Sequence, residues 1–156
     1  MKSKSKEAKD FLMQLEKLDK MIANKLIERE QWKSIALGTA SHSDGERVQS
    51  SGSQQKMADA IGRYIDIESE IDRCIDKLIA TKQDVISVIE QLDTTEYDLL
   101  HVVYVQYLTL EDFAEQNKRS YRWAAGVHGR ALANVLKILE ERKTEQLTLR
   151  QKLAMK

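Results

Sequence analysis

Four side chains of the types that ligate metals or attack carbonyls, His42, His101, His128 and Cys74, lie far apart along the 156-residue chain. Metal sites read from sequence need ligands at short, fixed spacings, and these four show none. The chain also lacks a phosphate loop, a Gly-x-Ser-x-Gly elbow and a His-Glu-x-x-His pair. Asp66, Glu68, Glu70 and Asp72 crowd enough carboxylates for general acid-base work, but Arg63, Arg73 and Lys77 alternate with them. On a helix that alternation makes a solvated, internally paired face. No group of side chains offers a nucleophile, a base and an orienting partner together, so neither an enzyme, a metal site nor a cofactor is expected.

The chemistry that remains is electrostatic. Twenty-five basic and 25 acidic residues cancel to a formal net charge of zero, yet they are unevenly placed. Between Asp84 and Gln116 there are eight acidic residues and no lysine or arginine. From Asn117 to Lys156 there are ten basic residues against three acidic ones. A basic helix backed by an acidic scaffold would turn one end of a module toward a polyanion and the other away. Basic residues also suit a helix C-terminus through its dipole, so charge alone leaves both readings open.

Spacing adds geometry to charge. Asp93-Thr-Thr-Glu96 and Thr109-Leu-Glu-Asp112 both have the form of a helix start, with a capping side chain three residues before an acid. The first opens a short helix with Tyr97, Leu100, Val103, Tyr104 and Tyr107 on its buried side. The second carries Leu110, Phe113 and Ala114 inward and ends near Asn117. Ser120 then caps a further helix with Ala124, Val127, Ala131, Leu132, Val135 and Leu139 inward, running on toward Leu149 and Leu153. A short helix, a tight turn at Asn117–Ser120 and a basic helix have helix-turn-helix proportions, in which the first helix braces the second in the major groove of DNA. The residues offered there are Ser120, Tyr121, Arg122, Ala125, Gly126 and Gly129. Arg122 could donate to guanine or phosphate, while Lys118, Arg119 and Arg130 would grip phosphates. Trp123 would pack on the preceding helix. Gly126 and Gly129 each cost a helix roughly 1 kcal/mol relative to alanine, which suggests a close approach by DNA or by a packed helix.

These residues need a frame, and an all-α frame is expected. Proline is absent and glycine occurs six times, so long helices are unopposed. Residues 7 to 37 read as one helix with Phe11, Leu15, Leu18, Ile22, Leu26, Trp32 and Ile35 on its stripe. Residues 38 to 54 read as a flexible loop. From Met57 a four-three spacing runs through Ile61, Tyr64, Glu68, Ile71, Ile75, Leu78, Lys82, Val85, Ile89 and Leu92, a coiled-coil seam. The expected organisation is a long antiparallel helical hairpin at 1–92, then a compact helix-turn-helix module with a C-terminal helical extension at 93–156. Pairing of the seam with a second copy of the chain is the alternative. One cysteine excludes an internal disulfide and fits a reducing cytosol. No stretch approaches the ~20 apolar residues of a membrane span, and the basic N-terminus lacks the apolar core of a signal peptide. A cytoplasmic protein without a membrane partner is expected.

The segment from Thr109-Leu-Glu-Asp112 through Ser120 to Arg130-Ala-Leu132 and Leu136 resembles, without gaps over about 28 residues, the helix-turn-helix of region 4 of bacterial sigma-70 factors. The whole chain, with Ala36-Leu-Gly-Thr-Ala40, Asp44-Gly-Glu-Arg-Val-Gln-Ser-Ser51 and Lys56-Met-Ala58, resembles small sigma-70 region 4-like transcriptional regulators of the ArpU and RinA type, encoded by phages of Gram-positive bacteria. The resemblance implies binding to double-stranded DNA and contact with RNA polymerase in the bacterial host. It departs from the sigma pattern at Tyr121, Ala125 and Gly126, where sigma factors carry long polar base readers. The hairpin would then supply dimer or polymerase contacts. The competing expectation is a helical adaptor or phage assembly protein that works through its hairpin and does not bind DNA.

Overall fold

The computed structural model describes residues 2–38 and 51–156. It is all-α, with no strand among the described residues. The helices are α1 (Lys2–Ala36), α2 (Ser51–Ile89), α3 (Thr94–Leu100), α4 (Leu110–Gln116) and α5 (Tyr121–Ala154), and α3 continues into a π-helical turn at His101–Val105. The expected loop at 38–54 lies largely outside the described residues. Its last four residues, from Ser51, already belong to α2.

Contacts divide the chain into two compact units, Met1–Glu16 with Ala80–Lys156, and Lys17–Ile79. This division differs from the expected boundary at residue 92. The first turns of α1 and the last turns of α2 are apolar enough to join the core of the short helices, so the boundary falls inside both long helices.

In the first unit the core is drawn from all five helices. Leu12 and Leu15 of α1, Val85, Val88 and Ile89 of α2, Leu99 and Leu100 of α3, Phe113 of α4, and Val127 and Val135 of α5 are almost fully buried. Each contributes roughly 1.5–3 kcal/mol by leaving water, before the entropy of ordering it is subtracted. Two ion pairs, Arg142 with Asp84 and Lys143 with Glu7, lie on its outside. The π-helical turn shifts the buried face. Gln106 N–H donates to the His101 carbonyl, and this wider closure advances the face by one position. Leu99 and Val102 are therefore buried, whereas Tyr107, expected inward, is exposed and adopts the left-handed conformation (φ 59°).

In the second unit far fewer apolar side chains are buried: Leu18, Ala60, Ile67 and Ile71. Lys25 to Glu70 (2.7 Å), Arg63 to Glu28 (3.4 Å) and Arg29 to Glu68 (3.8 Å) link α1 and α2 in an antiparallel order. The hydrogen bond to Glu70 holds the Lys25 ammonium above its ordinary value and the Glu70 carboxyl below its own. Exposed pairs of this kind contribute only about 0–1 kcal/mol each, so the second unit opens more easily than the first.

The long helices also correct the expected seam. One column of α2, Tyr64, Ile71, Leu78, Val85 and Leu92, is buried or half-buried as the spacing implies. The other is not the expected Met57, Ile61, Glu68, Ile75, Lys82 and Ile89, of which only Ile89 is buried. It is Ala60, Ile67, Cys74, Thr81 and Val88, one residue earlier along the heptad. On α1 the inward positions continue from Ile22 through Lys25, Arg29, Trp32 and Ala36, leaving Leu26 and Ile35 exposed. Long basic side chains can occupy such seam positions because their methylene stems cover apolar surface while the charged ends reach carboxylates.

Candidate nucleic-acid interface

The candidate site begins with two helix starts. Thr109 and Asp112 form a complete capping box: Asp112 N–H donates to Thr109 Oγ1 (3.1 Å), and Thr109 N–H donates to Asp112 Oδ2 (2.8 Å). Donation from the Thr109 backbone holds the Asp112 carboxyl below the usual carboxylate range. At the start of α5, Ser120 Oγ accepts the Trp123 N–H (3.2 Å). Asp93 likewise caps α3 by accepting the Glu96 N–H (2.9 Å). The Glu96 side chain does not return to complete that box. It is buried and accepts from Asn134 Nδ2 of α5 at 3.1 and 3.0 Å, pinning α3 to the middle of α5.

The turn between α4 and α5 closes by two backbone hydrogen bonds, Lys118 N–H to the Glu115 carbonyl (3.0 Å) and Arg119 N–H to the Ala114 carbonyl (2.9 Å). This is the Schellman pattern, which requires one residue in the left-handed conformation. Asn117 was the expected carrier, but Lys118 takes it (φ 54°). Asn117 instead turns its amide onto the Phe113 carbonyl (2.8 Å). A non-glycine residue there costs about 1–2 kcal/mol, so the surrounding contacts must hold the turn in shape.

One such contact is a three-layer stack. The rings of Phe113 and Trp123 are 5.5 Å apart and nearly parallel (4°), which joins α4 to the first turn of α5. The Arg119 guanidinium lies over the other ring system, 5.6 Å from the Trp123 centroid. Trp123 thus packs on the preceding helix as expected, and it also restricts a cation at the turn. Preorganising that side chain lowers the entropy lost when it meets an anion.

The residues offered to DNA by sequence separate by orientation. Lys118, Arg119, Ser120, Tyr121, Arg122, Gly126, Gly129 and Arg130 are exposed, and Ala125 is half-buried at the edge of the face. Arg122, Gly126 and Gly129 fall on one stripe of α5, spaced by four and then three. It lies opposite Ala124, Val127 and Ala131, which are buried. Among the described residues no carboxylate pairs with Lys118, Arg119, Arg122 or Arg130. A side-chain methyl placed on Gly126 or Gly129 would meet nothing within 4 Å. No neighbour within the described chain explains the two glycines.

Sequence reasoning missed the support behind this face. His128 Nε2 and the Tyr104 hydroxyl are 2.8 Å apart, and their rings stack at 5.8 Å. Burial pushes the Tyr104 phenol up to about 12. Burial also lowers the His128 imidazole below its ordinary value, with Lys9 adding repulsion. The signal was present in the spacing, because His128 follows Ala124 by four residues on the inner edge of α5.

Among the described residues no group of three or more His, Cys, Asp or Glu side chains could hold a metal ion, and no helix is long and apolar enough to cross a membrane. Comparison with protein-family models, curated proteins and solved structures finds no match to this chain.

Proposed function

We propose that the chain is a DNA-binding transcription regulator of phage or prophage genes. In this reading α4, the turn and α5 act as a helix-turn-helix, and the exposed stripe of α5 faces the major groove. The observation that carries the reading is this stripe: Arg122, Gly126 and Gly129 point outward with open space over both glycines. Unpaired cations at Lys118, Arg119 and Arg130 rim it. A helix that exposes backbone between cations can approach a phosphate-lined surface closely, and α4 braces it through the Phe113–Trp123 stack. Arg122 is the base-edge donor, and the rim cations supply salt-dependent affinity.

The resemblance to sigma-70 region 4-like regulators supports the same reading. With it come RNA polymerase and a second copy of the chain as further partners, and the cytosol of a bacterial host as the location. The test is a titration of random-sequence duplex by fluorescence anisotropy at two salt concentrations. Replacing both Arg122 and Arg130 by alanine should weaken binding. The slope of log affinity against log salt should become shallower by about 2, close to one unit per lost phosphate contact. Wild-type protein that does not shift duplex, or a double variant that binds with an unchanged slope, refutes the reading.

A second reading, a helical adaptor or phage assembly protein without DNA binding, draws on the exposed isoleucines of α2. Defined oligomers that never retard duplex would favour it.

A further inference from the structure

Between Ala60 and Ile79, α2 carries more apolar surface than one neighbouring helix can cover. Two lengthwise columns, Ala60-Ile67-Cys74 and Tyr64-Ile71-Leu78, are buried or half-buried on the side of the antiparallel pairing with α1. Two further columns lie beside them, Ile61-Glu68-Ile75 and Ile65-Asp72-Ile79. Their isoleucines are 47% (Ile61), 38% (Ile75), 59% (Ile65) and 52% (Ile79) exposed. The rest of the helix surface is polar throughout this stretch, with Asp66, Ser69, Arg73 and Asp76 among its residues. Four adjacent columns are the pattern of a bundle helix with two neighbours, whereas a paired helix needs only two.

The order of residues along the outer columns identifies the missing neighbour. Read in either direction from residue 70, the series is the same: acid, then isoleucine, then isoleucine. Asp72 mirrors Glu68, Ile75 mirrors Ile65, and Ile79 mirrors Ile61. An isologous two-fold contact between antiparallel helices requires this self-complementarity, and an unrelated partner imposes none. Sliding the pairing by one heptad would set isoleucine against carboxylate. Asp66 and Arg73, both exposed, mirror each other within one residue and share one flank. Each Arg73 then comes level with Asp66 of the other copy.

We infer that this face of α2 docks a second copy of the chain, antiparallel and centred on residue 70, with Ile61 against Ile79 and Ile65 against Ile75 of the other copy. This deepens the second-copy partner proposed above and does not depend on DNA binding. The four carboxylates of Glu68 and Asp72 meet at the centre, where like charges weaken the contact, so the association is moderate in strength. Arg29, 3.8 Å from Glu68 in its own chain, offsets part of that repulsion.

The test uses the full chain without DNA, by sedimentation equilibrium up to several hundred micromolar. Wild type should dimerise. Ile65→Lys combined with Ile75→Lys should raise the dissociation constant roughly tenfold or more, with unchanged helicity because both side chains are already exposed. Asp72→Asn should lower it, by removing two of the four central charges. Spin labels at residue 55, in a Cys74→Ser background, should lie about 45 Å apart or more, from 30 residues of helical rise. A monomeric wild type, or a double-lysine variant that dimerises as well as wild type, overturns the inference. A label separation under about 20 Å overturns the antiparallel pairing. Duplex titration of the double-lysine variant separates this outcome from failure of the DNA reading.

Discussion

Replacing Gly126 and Gly129 together by alanine sets stability against binding, and the two should move in opposite directions. Both positions are exposed in the interior of α5, and an added methyl meets no heavy atom within 4 Å. The substitution therefore keeps the full helix-propensity gain, about 1 kcal/mol for each glycine. Nothing nearby must move, so the two gains add to about 2 kcal/mol. For a chain of this size each kcal/mol raises the melting temperature by roughly 2–4 °C, giving about 4–8 °C for the pair. If the stripe lies against duplex DNA, the same methyl groups hold the helix backbone off the surface. Affinity should then fall about tenfold, or about 1.4 kcal/mol. Thermal and urea unfolding read the first quantity, and anisotropy with random duplex reads the second. A loss of stability would show that the glycines are needed by packing. A gain in stability with unchanged affinity would remove the stripe from the interface.

Two further predictions concern the support behind that face. His128 is lowered below its unfolded value of 6.5 by burial and by Lys9, so the unfolded chain binds its proton more readily than the folded one. Its contribution to stability is complete above pH 6.5 and is lost as pH falls from there through the lower, folded value. Urea midpoints should decline over that window in wild type and decline less in His128→Gln; equal declines would dismiss the histidine as the cause. Asn134→Ala leaves the buried Glu96 carboxylate without its two hydrogen bonds and should cost about 1–3 kcal/mol. A double-mutant cycle with Glu96→Leu should return a coupling above about 0.5 kcal/mol, and strict additivity would show that the pair does not hold α3 to α5.

Local signals in the chain carried a large part of this architecture. The absence of proline and the two acid-bearing helix starts specify helices and their first residues, because capping is chemistry between near neighbours. Ser120 and the Thr109–Asp112 box stand where the spacing puts them, and Ala124, Val127, Ala131, Leu132 and Val135 are buried as expected. Orientation on the outer face of α5 follows from the same periodicity, which is why most of the candidate interface was legible before any coordinates.

What spacing could not settle was a choice among neighbours of equal apolarity. Ile61 and Ile75 serve a heptad seam as well as Ile67 and Cys74 do. Which pair turns inward depends on where the partner helix lies, a property of the tertiary structure alone. The π-helical turn at His101–Val105 advanced a buried face by one residue, and no residue type announces such an insertion. The long-range polar pairs, Glu96 with Asn134 and Tyr104 with His128, join residues 38 and 24 positions apart. Sequence periodicity carries no information at those separations. The sequence thus determined the helices and the faces they offer, through interactions a turn or two long. The three-dimensional packing decided which faces were used.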